Sequence, residues 1–344
     1  MGIKALGNPT ARYNAVWDKT AKGAVTPAPT PVVEASGGTT GTYSDPDGDW
    51  KYHKWQNGDP APSMTFVVTA GGEVEWLVVG GGGGGGASKS GAAMGKGGGG
   101  GGFRSSAPEG PGGPSPTVEP TLQVTAGVTY PITVGAGGEG GPGAGGPNGY
   151  YGGHSVITDP TGTPIRSEGG GGGANWAATP APDDPTSPEN GFPLGLYYSN
   201  GGSGGGGNGG SWPGSLNMPW ALGNITAGSS PTTPVPNQGY PAQTDSYGGS
   251  GGGAGGAATG GPGTPGATDP AGRGAGKASS ITGSPVTYAS GGRATGANAS
   301  PPWPHPGTAH TGQGGNGAGS NAAPTSHGSG GDGGSGIVVI RYLQ

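Results

Sequence analysis

The sequence predicts a mostly β protein with a small β-sheet scaffold joining its N- and C-terminal strands, extensive irregular and polyglycine II segments, and almost no α-helix. Glycine supplies 90 and proline 37 of the 344 residues, a composition that helical bundles and doubly wound α/β folds do not tolerate inside their elements. Short runs of β-branched and aromatic residues nevertheless recur between turn residues. Apolar residues reach only 29 %, so a large conventional hydrophobic core is not expected.

Residues 1–35 are predicted to form an extended attachment arm that ends in a proline-rich spacer. Its alternating prolines force an extended or polyproline II backbone. Tyr13 and Trp17 stand four residues apart in otherwise polar sequence, and we interpret them as docking residues for a partner protein. A frayed terminus without a role is the alternative. The remainder, 36–344, is predicted to form a glycine-rich domain with an aromatic- and proline-rich loop region at 174–310.

The first predicted strand of this domain follows a turn built from Asp-Pro and Asp-Gly and covers about 50–55. Alternation places Trp50 and Tyr52 on one face and His53 and Trp55 on the other. Pairs of short strands, each separated by turn residues, follow this strand and predict hairpins. The predicted pairs are Met64–Thr69 with Val74–Val79, Leu122–Thr125 with Thr129–Val134, Ser155–Thr158 with Thr163–Arg166, and Ala278–Thr282 with Pro285–Ala289.

The chain closes on Ile337–Tyr342, a run that is apolar on both strand faces. Trp76–Val79 has the same character. Such runs require burial on both faces, as in the interior of a sheet. We therefore expect these two segments to be neighbours in one sheet, which ties the start of the domain to its end.

Long glycine runs separate the predicted strands, notably Gly80–Gly86, Gly97–Gly102 and Gly169–Gly173. Collagen is excluded because glycine does not keep a strict three-residue step. A flexible linker would have no reason to be flanked by strands of buried type. Glycine can form an extended threefold helix whose N–H and C=O groups bond to neighbours on several sides. Such polyglycine II packing, requiring nearly complete hydrogen bonding, is the predicted core.

Nothing in the sequence predicts catalysis, a cofactor or a metal site. The G-x-G-x-x-G matches lack a strand-to-helix context. Asp45, Asp47 and Asp49 offer a calcium edge, but no glutamate follows at the required distance, so a simple turn is favoured. The histidines are scattered without metal-ligand spacing, and surface imidazole is the expected role of the pair at His305 and His310. The histidines are His53, His154, His305, His310 and His327.

The charge distribution excludes two classes of partner. Lysine and arginine total only 14, with no dense basic cluster, so neither nucleic acid nor an anionic membrane surface is an expected partner. No apolar run approaches the roughly 20 residues of a membrane span. We also expect no secretory signal, since the first residues lack a basic region followed by an apolar stretch.

Aromatic residues in Gly/Pro/Asn-rich loops are the candidate surface-binding residues. Such side chains stack on sugar rings or fill partner pockets. The alternative, which we weight more heavily, is that they cap a domain poor in aliphatic residues. The residues concerned are Trp176, Phe192, Tyr197, Tyr198, Trp212, Trp220 and Trp303.

Several motifs together carry a family resemblance: 47–53 (DGDWKYH), 65–68 (TFVV), 74–80 (VEWLVVG), 129–138 (TYPITVGAGG), 286–289 (VTYA) and 334–342 (GSGIVVIRY). The sequence resembles the glycine-rich domain of many bacteriophage structural proteins, especially tail-fibre and cyanophage-type virion proteins, and of some bacterial surface proteins. The resemblance covers about 40–344, and the proline- and tryptophan-rich stretch at 174–225 departs from it as an inserted surface region.

The resemblance implies a non-enzymatic virion protein on the particle surface, made in the host cytoplasm. The arm would bind other virion proteins. The leading expectation is a tail fibre or tail-tip adhesin whose loops contact a host-surface glycan or outer-membrane protein. The alternative is a capsid or tail decoration or cement protein that recognises nothing on the cell. A bacterial surface or matrix protein would need an export signal. Whether glycine segments pair within one chain or across a homo-oligomer stays open.

Overall fold

Short strands and glycine-rich segments alternate along the chain in the computed structural model. The structure describes residues 32–88, 95–113, 118–143, 148–160, 162–174, 202–205, 207–208, 238–240, 242, 244–245, 249–258, 272–295, 305–319 and 328–344, all within one unit of the chain. The strands in these ranges are β1 (Glu34–Ser36), β2 (Thr39–Asp45), β3 (Gly48–Gln56), β4 (Thr65–Ala70), β5 (Gly72–Val79), β6 (Phe103–Ser105), β7 (Leu122–Val124), β8 (Thr129–Thr133), β9 (Ser155–Ile157), β10 (Ile165–Ser167), β11 (Gly207–Asn208), β12 (Thr244–Asp245), β13 (Lys277–Ser279), β14 (Val286–Tyr288) and β15 (Ile337–Leu343).

Helix is nearly absent from the described residues. One 3-10 turn, Ala61–Ser63, is the only helical element among them. The expectation of a mostly β protein with small sheets and almost no helix is confirmed for this part of the chain.

The larger sheet has the order β2-β3-β15-β5-β6, with β7 also paired to β5. The C-terminal strand β15 lies between β3 and β5 and is antiparallel to both, with Val338 opposite Trp55 and Val78. The predicted neighbourhood of the segments at 76–79 and 337–342 is therefore confirmed. The domain's first long strands and its last strand form one sheet, as the sequence predicts.

Both faces of this sheet are covered, which explains the unbroken apolar runs in β5 and β15. On one face, side chains such as Trp76, Val338 and Ile340 pack in a core with Phe66 and Tyr130 of the second sheet. That second sheet has the order β1-β4-β8-β9-β10. On the other face, alternate residues of β5 and β15 pack against the β13–β14 hairpin in a second core. The members of that core include Leu77, Val79, Ile337, Val339, Ile281 and Tyr288.

One cation lies within the buried run of β15. Arg341 forms an ion pair with Glu75 of β5 and donates to the hydroxyl of Tyr43 in β2. Its guanidinium carbon lies 4.3 Å from the ring centroid of Trp50 in β3. A single side chain therefore contacts three other strands of the sheet, and the buried charge is compensated by a carboxylate and an aromatic face.

Two predicted hairpins are wrong. β4 and β5 do not pair, because β5 has β15 along one edge and β6 and β7 along the other. β4 instead pairs with β1 and β8 in the second sheet. The link between β4 and β5 is a corner between sheets, where a Cβ on Gly71 would lie 2.5 Å from the carbonyl oxygen of Val124. Glycine permits this close approach.

In the second wrongly predicted hairpin, too, the two strands belong to different sheets. β7 pairs with the start of β5, whereas β8 pairs with β4 and β9. A real turn joins β7 and β8, with Gly127 at φ +79° and a hydrogen bond from the Val128 N–H to the Thr125 carbonyl. The turn changes sheets instead of returning the chain antiparallel to itself. The two later hairpins, β9–β10 and β13–β14, are confirmed with slightly shorter strands than predicted.

Candidate functional site: the glycine lattice

The glycine segment 80–86 is buried along its whole length and donates hydrogen bonds to three neighbouring segments. The N···O distances are 2.8–3.0 Å. The neighbour changes with each residue and returns every third residue. Gly80, Gly83 and Gly86 donate to 96–102, Gly81 and Gly84 donate to 150–153, and Gly82 and Gly85 donate to 331–334.

The carbonyl groups of 80–86 accept hydrogen bonds from three further segments with the same repeat. Gly170 and Gly173 donate to Gly81 and Gly84, Gly138 and Gly141 donate to Gly82 and Gly85, and Gly315 and Ala318 donate to Gly83 and Gly86. The segment therefore has six hydrogen-bonded neighbours, three antiparallel and three parallel to it. A strand in a sheet has at most two.

The segment 97–102 repeats this arrangement beside the first. Its N–H groups again change partner with every residue and return after three. Gly97 and Gly100 donate to 249–252, Gly98 and Gly101 donate to 312–315, and Gly99 and Gly102 donate to 168–171. We refer to the segments 80–86, 96–102, 135–141, 149–153, 168–174, 249–252, 289–295, 312–318 and 328–334 as the glycine lattice.

Glycine is required inside the lattice because the neighbouring segments lie too close together for any side chain. A Cβ added at any residue of 80–86 would lie 1.9–2.1 Å from the carbonyl oxygen of a neighbouring segment. Real Cβ atoms essentially never approach that closely, and the neighbouring atom is backbone that is itself hydrogen-bonded. A side chain would therefore separate two segments and break the bonds between them.

Side chains do occur in outer lattice segments, and they too follow a three-residue step. In 135–143 the exposed positions are Ala136, Glu139 and Pro142, whereas Gly138 and Gly141 are buried. The same step separates Ser329, Asp332 and Ser335, and it separates Gln313 from Asn316. Sequence reasoning missed this signal, which is readable as non-glycine residues that recur every third position.

One end of the lattice is formed by strand ends. Segments 80–86, 135–141, 168–174 and 289–295 follow directly on β5, β8, β10 and β14, whereas 96–102, 149–153 and 328–334 lead into β6, β9 and β15. The antiparallel pairs of segments are consequently joined at the opposite end, which we call the remote end. The connections 87–95, 142–148 and 319–327 begin and end there.

Two further segments reach the remote end. The N–H of Lys96 donates to the carbonyl of Ala174, and the N–H of Gly317 donates to the carbonyl of Arg293. The chain therefore also passes from 174 and from 295 into its next connection at this end. The first described strand, β1, lies at the end of the sheets opposite to the lattice. Glu34 pairs with Ala70, the residue of β4 that is farthest from the lattice.

The predicted surface-binding residues Trp176, Tyr197, Tyr198, Trp212, Trp220 and Trp303 lie outside the described residues, as do the predicted docking residues Tyr13 and Trp17. Both sets remain predictions. Trp176, Tyr197 and Tyr198 belong to the stretch that follows residue 174, and Trp303 belongs to the stretch that follows residue 295, so the chain enters both stretches at the remote end. Trp212 and Trp220 belong to a different stretch, 209–237, which ends at Gln238 beside the start of β6.

The expected turn role of Asp45 agrees with its contacts. Its carboxylate accepts from the N–H of Asp47 at 2.8 Å and from the indole N–H of Trp50 at 3.0 Å. Among the residues that the structure describes, no three His, Asp or Glu side chains form a group that could hold a metal ion. No helix in the described ranges is long and apolar enough to cross a membrane.

His53 is a fully buried histidine within an aromatic cluster. Its Nδ1 lies 2.7 Å from the Gly37 carbonyl oxygen, and its Nε2 lies 3.0 Å from the Tyr342 hydroxyl. The ring contacts Trp55, Phe66 and Tyr342. Burial lowers the pKa of His53 below its usual 6.5; the hydrogen bond to Gly37 opposes this shift and the charge of Lys51 adds to it. The neutral ring is therefore a structural link between two sheets.

The protein is a β-sheet domain whose strands continue into a hydrogen-bonded glycine lattice. The chain belongs to the glycine-rich domain family, whose profile matches residues 59–343. A comparison with curated proteins gave no match.

Proposed function

We propose that the lattice segments are polyglycine II helices. The supporting observation is the three-residue repeat of hydrogen bonds from 80–86 and 97–102, because polyglycine II has three residues per turn and bonds only to neighbours. A crystal structure tests the proposal. Backbone angles near φ −75° and ψ +145°, with about 3.1 Å rise per residue, would support it. Angles of twisted β-strands in these segments would refute it.

We further propose that the protein is a non-enzymatic structural component of a bacteriophage particle, displayed on the particle surface. The family resemblance supports the class of particle protein. The polarity of the domain supports display: the first described strand, β1, lies at the sheet end away from the lattice, and five connections leave at the remote end. Attachment to the particle at that sheet end would leave the remote end free to face outward.

Within that role we propose a tail-fibre or tail-tip adhesin that contacts a host-surface glycan or outer-membrane protein. The single observation that carries this proposal is that five connections begin at the remote end of a lattice whose segments are held together by backbone hydrogen bonds. Recognition residues are commonly found on loops held by a rigid scaffold. The loop region predicted from the sequence, 174–310, includes two of these connections.

Two measurements test the particle role and the adhesin role separately. Immunogold labelling of purified particles locates the chain; absence from particles would refute the virion proposal. Binding of fluorescently labelled full-length protein to intact host cells tests adhesion. We expect Trp212→Ala to reduce binding at least about tenfold if Trp212 stacks on the receptor, with Trp212→Phe as the matched aromatic control. Particle labelling without cell binding would identify a capsid or tail decoration protein instead.

A further inference from the structure

The strand β2 is a long sheet edge on the surface of the domain. The other terminal strands in the order of the two main sheets, β6, β1 and β10, have three residues each, whereas β2 has seven. Thr40, Thr42 and Ser44 of β2 are exposed. An exposed strand edge is a template for pairing with another strand.

The register of β2 with β3 decides which backbone groups face outward. Asp45 pairs with Gly48 across a two-residue turn, so this pair shares hydrogen bonds. Because hydrogen-bonded and non-hydrogen-bonded pairs alternate in an antiparallel ladder, Tyr43 also bonds to β3, whereas Thr42 does not. The N–H and C=O groups of Thr40, Thr42 and Ser44 consequently point away from the sheet.

The sequence of β2 lacks the features that usually protect an edge. Thr39–Ser44 contains no proline, no lysine and no charge. Its only charged residue, Asp45, is at the end of the strand next to the turn. The outward-facing positions carry only threonine and serine, side chains that form favourable cross-strand pairs with one another.

We propose that β2 pairs with β2 of a second copy of this chain, antiparallel and about a two-fold axis at Thr42. Thr42 then lies opposite Thr42 of the second copy, and Thr40 lies opposite Ser44. All outward-facing backbone groups at these positions gain partners, and the carboxylates of the two Asp45 residues lie at opposite ends of the pairing. The two larger sheets become one continuous sheet, and the two glycine lattices extend in opposite directions.

The partner of β2 is the same strand of a second copy, because this edge is complementary to itself. Two-fold pairing places each neutral hydroxyl side chain against another, without a like-charge contact. A single strand edge buries less surface than a standard stable interface, so the association is reversible and depends on concentration. This proposal does not depend on the particle role: a chain that pairs in this way need not be a virion protein.

A charge-swap experiment on the full-length chain tests the pairing. Sedimentation equilibrium of the unaltered chain should give a mass that rises with concentration from 32.4 kDa toward twice that value. Thr42→Lys and Thr42→Glu should each weaken self-association at least about fivefold, because like charges would face each other at the axis. An equimolar mixture of the two variants should restore dimers.

Controls separate this outcome from misfolding and from unspecific charge effects. Thr129→Lys places the same change on an exposed strand position of the other sheet and should leave association unchanged. Thr42→Pro removes an outward N–H donor and should also prevent dimers. An unaltered chain that stays monomeric at millimolar concentration, or a mixture that associates no better than either variant alone, would overturn the proposal.

Discussion

At the scale of single residues, the lattice depends on hydrogen atoms at positions where other proteins carry side chains. Gly84 shows the constraint: its N–H bonds to Tyr150, its carbonyl accepts from Gly173, and an added Cβ would lie 2.0 Å from the Glu139 oxygen. Three different segments therefore meet within one residue. Substitution affects all three contacts together.

We expect Gly84→Ala to lower the free energy of unfolding by about 3 kcal/mol, because the methyl group overpacks a site surrounded by bonded backbone. Gly256→Ala is the matched control, since its nearest heavy atom would be 3.5 Å away, an ordinary contact. That variant should stay within about 0.5 kcal/mol of the unaltered chain. Urea titration of both proteins measures the difference. Equal midpoints would show that the glycine interior is not closely packed.

His53 makes stability depend on pH. Its folded pKa lies below 6.5, so the unfolded chain binds the proton more readily as the pH falls. The free energy of unfolding should therefore be steady above pH 6.5 and decline below it. His53→Phe should flatten this decline, whereas the partly exposed His154→Gln should retain it. Denaturant midpoints between pH 5 and 7.5 provide the measurement; an unchanged slope in His53→Phe would contradict the assignment.

At the scale of elements, two repeats coexist in one chain. The strands repeat every two residues, as in β8, where Tyr130 and Ile132 are buried and Thr129, Pro131 and Thr133 are exposed. Directly after it, 135–141 repeats every three. The change occurs within a few residues because Gly135 is the first position without a Cβ, and its N–H bonds to the Ser155 hydroxyl instead of continuing a ladder.

Hydrogen exchange should reveal the three-residue repeat in this outer segment. The amides of Gly138 and Gly141 donate to Gly82 and Gly85 and should exchange slowly. The amide of Glu139, on the exposed side, should exchange at least about a hundredfold faster. Residue-resolved NMR exchange measures the rates, with the buried Gly82 and Gly85 as internal references. A two-residue alternation would indicate a strand instead.

The sequence predicts the secondary-structure elements better than it predicts which of them pair with one another. The apolar runs at 76–79 and 337–342 specify their own pairing, because only the middle of a covered sheet accommodates them. Turn residues such as Gly127 specify a change of direction but not whether the flanking strands remain in one sheet, and two hairpins were wrongly predicted for this reason. The neighbours of each lattice segment are even harder to predict from the sequence, since a glycine run carries no side chains that would identify its partners.

At the scale of the whole molecule, contacts between distant parts of the sequence dominate. Segment 80–86 bonds to 135–141 and to 328–334, and β3 pairs with the C-terminal strand. The bonds from 80–86 to 312–318 and 328–334 can form only after segments more than 200 residues apart in sequence have met. Each added segment supplies donors and acceptors to several others, so partial lattices leave many buried groups without partners.

We therefore expect slow and cooperative folding. Refolding after dilution from denaturant should take seconds or longer, because non-local pairings require large loop closures first. Tryptophan fluorescence and far-UV circular dichroism should give superimposable unfolding curves. A separate early transition in either probe would show that the sheets and the lattice unfold independently.

The three-residue step also limits how such a chain can change in length. In the proposed polyglycine II geometry, inserting one residue into 135–141 would rotate the rest of that segment by a third of a turn and direct a carboxylate such as that of Glu139 toward the buried neighbours. Inserting three residues would restore the original orientation. Insertions and deletions inside the glycine runs should therefore accumulate in multiples of three residues, whereas the connections at the remote end are not restricted to such multiples.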